Sequence, residues 1–431
     1  MKTTPFWWDD AAPAAGRSDA PAEAPSALIV GAGYTGLSAA ISLAEAGVSN
    51  VTVIDAQKIG EGASSRNGGQ IGNAPKFTLA QATRRHGAEQ AREIFNDYER
   101  SMPFLLERAA TLKGDFDLKL CGSVLGAHTA RDLEGLRHWR AALPAEKQAQ
   151  IEIFSKAEMS SVLRSDIYHG AMLQHDAGSI HPAKYMSALA ARAISLGVQI
   201  HTGWRYLGKQ KDNSVRVVPV TGGAELRLRP DMVLLAVNGY AGPELPFLRK
   251  RVIPIQSYMI ATAPLPFDQM EALIPQNRVA ADTKHVLYYY RRSPDGTRML
   301  FGGRASFRKT GEEKSALGLR RFMAETFPSL AAAEITHSWL GNVAFSLDFA
   351  THLGRSPAGE FYSSCYNGNG VSMATYMGHR IAEAMLGRAQ ADRGVMNTHF
   401  PRIWGYNGDP WFLPLVGSWY RFLDMSAKLR G

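Results

Sequence analysis

The chain has 431 residues, with 48 Lys and Arg against 39 Asp and Glu, a formal net charge of +9. With 45% hydrophobic and 10% aromatic residues it holds enough apolar material for a large core, which excludes global disorder, and its length predicts two or three structural units. Two cysteines, Cys121 and Cys365, cannot staple a chain this long, so a disulfide framework is excluded and a reducing compartment, the cytoplasm, is expected.

The first ten residues carry an aromatic cluster (Phe6, Trp7, Trp8) and then two acids, which is not the pattern of a signal peptide. No stretch reaches the roughly 18 uninterrupted apolar residues of a spanning helix. Basic residues are scattered rather than concentrated on one element, so no nucleic-acid partner is expected. Residues 11–25, rich in Ala and Pro, lead to the expectation that 1–25 is a flexible lead-in, with order beginning at Ser26.

From there Ala27 to Val30 is a short apolar run ended by glycine, the pattern of a buried parallel strand. A helix follows, with Leu37, Ala40, Ile41 and Ala44 on one face and Gly47 as its stop, and Val51 to Ile54 is the next strand, closing at Asp55. Ala91 to Leu112 predicts a helix, Leu118 to Ala127 a strand with a Gly-Ser break, and Pro182 to Leu196 a helix with proline in its first turn. Val198 to Thr202 and Met232 to Val237 are extended. Ile253 to Thr262, Val286 to Arg291 and Arg298 to Gly303 predict antiparallel strands, the last two joined by the Ser293-Pro294-Asp295-Gly296 turn. A final strand, Phe361 to Ser364, runs through a glycine-rich turn into a helix from Ser372 to Leu386. Strand–helix alternation with an inserted antiparallel block implies an α/β protein of two domains, one of them discontinuous in sequence.

Three segments carry chemistry. Gly31-Ala32-Gly33-Tyr34-Thr35-Gly36 lies between the first strand and its helix, with an acid, Asp55, closing the second strand. Gly31 permits a tight turn, Gly33 lets the backbone approach a pyrophosphate, Gly36 allows close helix–strand packing, and Asp55 can accept from a ribose hydroxyl. The helix N-terminus presents free N–H groups and a positive dipole end to phosphates. Dinucleotide binding is therefore expected. The loop Gly60 to Gln70 has almost no bulk, which suits backbone amides running along a dinucleotide or a flat ring. The turn Tyr366-Asn367-Gly368-Asn369-Gly370-Val371 precedes a helix whose N-terminal amides can stabilise negative charge on a reduced flavin.

These segments, with Cys121-Gly122-Ser123, Ala236-Val237-Asn238-Gly239-Tyr240, Tyr258 with Ala261 to Leu265, and Leu300-Phe301-Gly302-Gly303-Arg304, make the sequence recognisable. From Phe6 to about Asp424 it resembles the FAD-dependent amine and amino-acid oxidoreductases of the D-amino-acid oxidase superfamily, and especially the γ-glutamylputrescine oxidase-like branch. The resemblance implies a discontinuous FAD-binding Rossmann-like domain (26–115, 178–250 and 335–390), a mainly antiparallel-sheet substrate domain (116–177 and 251–334) and a C-terminal docking segment (391–431). It places FAD contacts at Gly31, Gly33, Tyr34, Thr35, Gly36 and Asp55, at Ala63, Ser64, Arg66, Asn67, Gly68, Gly69 and Gln70, at Asn238, and at Gly368, Asn369, Gly370 and Val371. Tyr258, Tyr289 and Arg304 are the candidates for the substrate pocket.

Two departures from the family pattern bear on chemistry. Asn369 stands where relatives commonly carry the histidine of Gly-His-Gly, and an amide donates but does not carry a proton. Relatives that oxidise glycine or D-amino acids tend to have an arginine for the substrate carboxylate; the corresponding stretch, Trp339 to Phe345, has none, although Arg291, Arg298 and Arg304 are near enough in the pattern to substitute. The expected reaction is oxidation of a C–N bond in an amine with non-covalent FAD, hydride leaving the carbon next to an uncharged nitrogen, followed by imine hydrolysis and reoxidation by O2 or another electron acceptor. Oxidation of a free or N-methylated amino acid, and a non-enzymatic flavin-binding role, remain open. No metal site is expected: His169, His175 and His181 lack zinc-site spacing. Cys121 and Cys365 are expected to be packed and inert. The apolar end, Pro410 to Val416 with Trp419, Tyr420 and Phe422, is expected to dock on the body, pair with another subunit or rest on a membrane.

Overall fold

The computed structural model describes residues 1–303, 310–388 and 393–430, without the side chains of 397 and 428–430. The strands Ala27–Val30, Val51–Asp55, Met232–Leu235 and Gln199–Thr202 pair in parallel. With Phe361–Ser364 and His352–Arg355 they form a six-stranded sheet in the order 352–355, 361–364, 232–235, 27–30, 51–55, 199–202. Ala27 to Val30 is buried along its whole length, as a continuous apolar strand covered on both faces should be. Helices Tyr34–Glu45, Ala88–Ala110, Pro182–Ser195 and Gly370–Met385 contribute to the largest hydrophobic core. Thr78 begins the helix Leu79–His86 with a reciprocal cap to Gln81.

The second sheet has eight strands, in the order 335–345, 253–262, 299–303, 288–292, 279–282, 123–126, 170–174, 151–155. All its pairs are antiparallel except Val279–Asp282 with Ser123–Gly126. Residues directly opposite one another share a face. Met259 stands opposite both Trp339 and Gly302, and Gly302 opposite Tyr289. One face therefore carries Ser257, Met259, Tyr289, Gly302 and Trp339. The other carries Tyr258, Ile260, Tyr288, Tyr290 and Phe301, buried with Leu319 and Met323 of the helix Glu312–Thr326.

Two expectations are corrected here. The strand Ile335–Phe345 pairs along Ile253–Thr262, so 335–345 joins the eight-stranded sheet rather than the six-stranded one. Residues 1–25 are not a loose lead-in. Lys2 bridges to His337, with Lys2 N donating to the Thr336 carbonyl, and Arg17 bridges to His201. Between these ends Phe6–Trp8 forms a 3-10 turn whose Trp7 is fully buried. The Ala-Pro composition read as flexible because its partners lie in strands far along the chain. A three-stranded meander, Trp204–Lys209, Val215–Pro219 and Leu226–Leu228, is a further element beyond those expected.

Candidate cofactor and substrate site

The turn after the first strand shows why glycine is required. Gly31 has φ +111, in the left-handed region, and a Cβ on Gly36 would lie 1.8 Å from the Gly31 carbonyl oxygen. Gly33 caps the helix Tyr34–Glu45 without a side-chain acceptor; the Ser64 hydroxyl accepts from Tyr34 N at 3.1 Å, and a Cβ on Gly33 would meet that hydroxyl at 2.8 Å. Asp55 accepts from Ala32 N at 2.7 Å and Gln57 N at 2.8 Å, which fixes its carboxylate beside the glycine turn. Burial pushes the Asp55 carboxyl above its usual range, while the two backbone N–H groups oppose that shift. Thr35 Oγ1 lies 2.6 Å from the Tyr366 hydroxyl, so the first helix and the distant C-terminal turn meet.

The loop from Ala63 is braced by its own amide side chain. Asn67 Nδ2 donates to the Ala63 and Ser64 carbonyls (3.2 and 2.8 Å) and to the Tyr34 hydroxyl (3.3 Å), and Asn67 Oδ1 accepts from Gly69 N. Gln70 donates to the Ala280 and Tyr290 carbonyls of the eight-stranded sheet, and Gln70–Ile71 pairs with Gly178–Ser179. Gly68 faces Tyr289, whose ring would be 3.1 Å from a Cβ there, with Met259 at 3.5 Å. The loop thus lies against the Met259–Tyr289 face of the sheet.

At the C-terminal turn Cys365, Asn367 and Gly368 all have positive φ, a locally costly backbone that its neighbours over-determine. Asn238 Oδ1 accepts from Cys365 N at 3.0 Å and from the Ser364 hydroxyl at 3.2 Å, and Asn367 accepts from Ser346 N and donates to the Cys365 carbonyl. Asn369 donates to the Ala74 carbonyl at 2.5 Å. Gly370 opens the helix that continues through Val371 to Met385, and a Cβ on Gly370 would meet nothing within 4 Å. A glycine cradle at one helix N-terminus, a bulk-free loop and open space at a second helix N-terminus fit an extended dinucleotide carrying a flat ring.

Of the substrate candidates, Tyr289 stands beside the loop, its hydroxyl 2.9 Å from Ser257 Oγ. Tyr258 is a correction. It is fully buried on the helix-backed face, its hydroxyl 2.8 Å from both Gln256 Oε1 and the Thr310 carbonyl, because alternation along the strand turns it away from Ser257 and Met259. Arg304 lies outside the described residues. Cys121 is half-buried rather than packed away, whereas Cys365 is buried and its thiol pushed well up by burial.

The sequence pattern missed the N-terminal strap across this loop. Trp7 Nε1 donates to the Asn67 carbonyl at 2.8 Å, Trp8 Nε1 to Ser65 Oγ at 2.9 Å, and the Arg66 guanidinium lies 4.5 Å over the Trp8 ring. Trp7 also meets the ring of His181 at 4.8 Å. His181 caps the helix Pro182–Ser195, its Nδ1 accepting from Lys184 N, and its Nε2 lies 3.3 Å from the Asp10 carboxylate. Burial, helped by Lys184, presses the imidazole down to about 4, against the pull of Asp10 and Asp117. A histidine whose folded value is depressed stabilises least when protonated, so stability should fall as pH drops from the unfolded value near 6.5 towards 4. We expect His181→Asn, which keeps a cap acceptor without the proton, to flatten this part of the profile of melting temperature against pH.

Fold and glycine turn together fit an oxidoreductase that holds a dinucleotide. The FAD dependent oxidoreductase (DAO) family model matches residues 26–384, and the chain belongs to that family. It is 31% identical over 399 residues to the probable oxidoreductase OrdL of Rhizobium meliloti, covering 92% of this chain and 91% of that protein. Over 399 residues it is 30% identical to the gamma-glutamylputrescine oxidoreductase of Escherichia coli, covering 92% of each. Among solved structures, glycine oxidase from Geobacillus kaustophilus superposes with a TM-score of 0.70 at 19% identity, covering 88% of this chain and all of that one. The cofactor is FAD. Among the described residues no helix is long and apolar enough to cross a membrane.

Proposed function

We propose that the protein oxidises a C–N bond in a substituted amine, of the γ-glutamylputrescine kind, rather than in a free amino acid. One observation carries this reading: the described arginines that could have gripped an α-carboxylate are already engaged by the backbone. Arg291, fully buried, donates to the carbonyls of Gly69, Ile180 and Arg292. Arg298 donates to the Thr262 carbonyl and Thr336, and Arg66 to the carbonyls of Glu61 and Leu340. Freeing Arg291 or Arg298 would strand carbonyls of the buried residues Gly69, Ile180, Arg292 and Thr262, at about 1–3 kcal/mol each. The likeness to gamma-glutamylputrescine oxidoreductase supports the same substrate class.

The roles follow from position. Gly31, Gly33, Thr35, Gly36, Ser64 and Asp55 would hold the adenosine diphosphate end, and Arg66 to Gln70, Asn238 and Gly368 to Val371 the ring end, without a covalent link. FAD, when bound, supplies the hydride acceptor. Tyr289 and Ser257 orient the amine over the Gly68 backbone, and Met259 and Trp339 keep water off it. Among the described residues the sheet face from Met259 to Tyr289 carries a buried cation, Arg291, and no carboxylate, which favours the uncharged amine that the reaction needs over its ammonium form.

Anaerobic addition of γ-glutamylputrescine, alkylamines, glycine, sarcosine and D-alanine to the FAD-loaded protein tests this. The expected result is bleaching of the flavin absorbance by the amines at least about tenfold faster than by the amino acids, the factor that 1.4 kcal/mol of lost carboxylate pairing represents. Faster bleaching by an amino acid overturns the reading.

A further inference from the structure

The Met259–Tyr289 face of the eight-stranded sheet continues past the Ser257–Tyr289 pair. Two residues along the strand from Ser257, about 7 Å, comes Ile255 and then Ile253, which stand opposite Val343 and Phe345. This end of the face is covered by the C-terminal segment. Leu413 is buried with Ile253, Ile255, Val286 and Phe345, and Phe412, Tyr420 and Val343 pack at the margin of that cluster.

The helix Leu413–Arg430 is tied to the substrate-side sheet by one carboxylate. Asp424 Oδ1 accepts from His285 N at 3.0 Å and from His285 Nδ1 at 2.8 Å, and Asp424 Oδ2 accepts from Val286 N at 3.1 Å. His285 and Val286 precede the strand Tyr288–Arg292, which carries Tyr289. One acid thus binds consecutive backbone N–H groups, and the Tyr420 ring lies 5.4 Å from His285. The helix is registered to the element that presents Tyr289.

We propose that this helix is the distal wall of the substrate pocket, with Leu413 setting how long a carbon chain the enzyme accepts and Asp424 holding the wall in place. The inference rests on the amine reading above and adds what lies beyond the reacting nitrogen. The surfaces in line with the Ser257–Tyr289 pair (Ile255, Val343, Phe345 and Leu413) are uncharged and apolar, so they suit methylene groups rather than a second charge near the reacting end. Each methylene buried there should tighten binding about fourfold until the chain meets Leu413.

The test is anaerobic stopped-flow reduction of the full-length, FAD-loaded protein by n-alkylamines from propylamine to octylamine, which separates the dissociation constant from the limiting reduction rate. The wild type is expected to bind progressively tighter up to a cut-off length. Leu413→Phe should move the cut-off shorter and weaken the longest amines about tenfold or more, and Leu413→Ala should move it longer. Asp424→Ala should blur the cut-off while FAD content per chain is unchanged; Asp424→Asn, which retains one carbonyl acceptor, should restore part of it. The two Leu413 variants move in opposite directions, so misfolding of one leaves the other decisive. An identical chain-length profile in wild type and both Leu413 variants overturns the wall. Failure of every amine to reduce the wild type overturns the amine reading instead, and this inference with it.

Discussion

Gly33→Val is expected to give a folded protein that purifies colourless. The backbone at Gly33 has φ −91 and ψ −171, an extended conformation that valine adopts readily, so the main chain tolerates the change. The side chain does not have room: its Cβ alone would lie 2.8 Å from Ser64 Oγ, the group that accepts from Tyr34 N. The remaining methyl groups would stand in front of the helix N-terminus, where the phosphates must approach the amides. Loss of two charge-assisted phosphate contacts at about 1.5–3 kcal/mol each predicts at least about 100-fold weaker FAD binding. The measurement is flavin absorbance per chain before and after reconstitution, with circular dichroism to show the fold. Full occupancy would remove the glycine turn from the cofactor site. Gly36→Val makes the contrast, because its Cβ would sit 1.8 Å from a backbone oxygen, and it should fail to fold.

Trp7→Ala should cost both stability and cofactor. The indole is fully buried beside Met259, Ala183 and Trp339, and deleting a buried tryptophan side chain typically costs about 3–5 kcal/mol. Because Trp7 Nε1 holds the Asn67 carbonyl, the damage should reach the loop that Asn67 braces, so FAD affinity should fall together with the melting temperature. Trp7→Phe keeps most of the packing and loses the N–H, for an expected cost of about 1 kcal/mol from the hydrogen bond. A Trp7→Ala protein with wild-type FAD affinity would show that the strap stabilises the fold without supporting the loop.

Those two residues mark where local pattern suffices and where it does not. The strand–turn–helix around Gly33 was legible because the glycine spacing, the apolar strand before it and the helix after it are all within twenty residues. Ile253–Thr262 and Phe361–Ser364 were legible, ends included, from apolar runs between turn residues. Alternation along Tyr288-Tyr289-Tyr290 correctly set Tyr289 apart from its neighbours. Trp7 was not legible as part of the site, since its partner Asn67 is 60 residues away and nothing near Trp7 encodes it. Tyr258 failed for a related reason: periodicity says that alternate residues share a face, but which face meets the Gly68 loop depends on where the helix Glu312–Thr326 packs. Strand Ile335–Phe345 has the composition of either sheet, and only its pairing with Ile253–Thr262 assigns it.

The strap also ties cofactor retention to completion of the fold. Residues 2 and 17 bridge to strands beginning near 335 and 199, so both of its anchors exist only once the two large sheets have formed. Folding therefore passes through an interval in which the Gly-rich loop exists without its clasp, and an adenine dinucleotide arriving in that interval would meet an open cradle. Closure of the aromatic turn over Ser65 and Asn67 would then be a late event, slow to reverse, that retains a cofactor the cradle alone would release more readily.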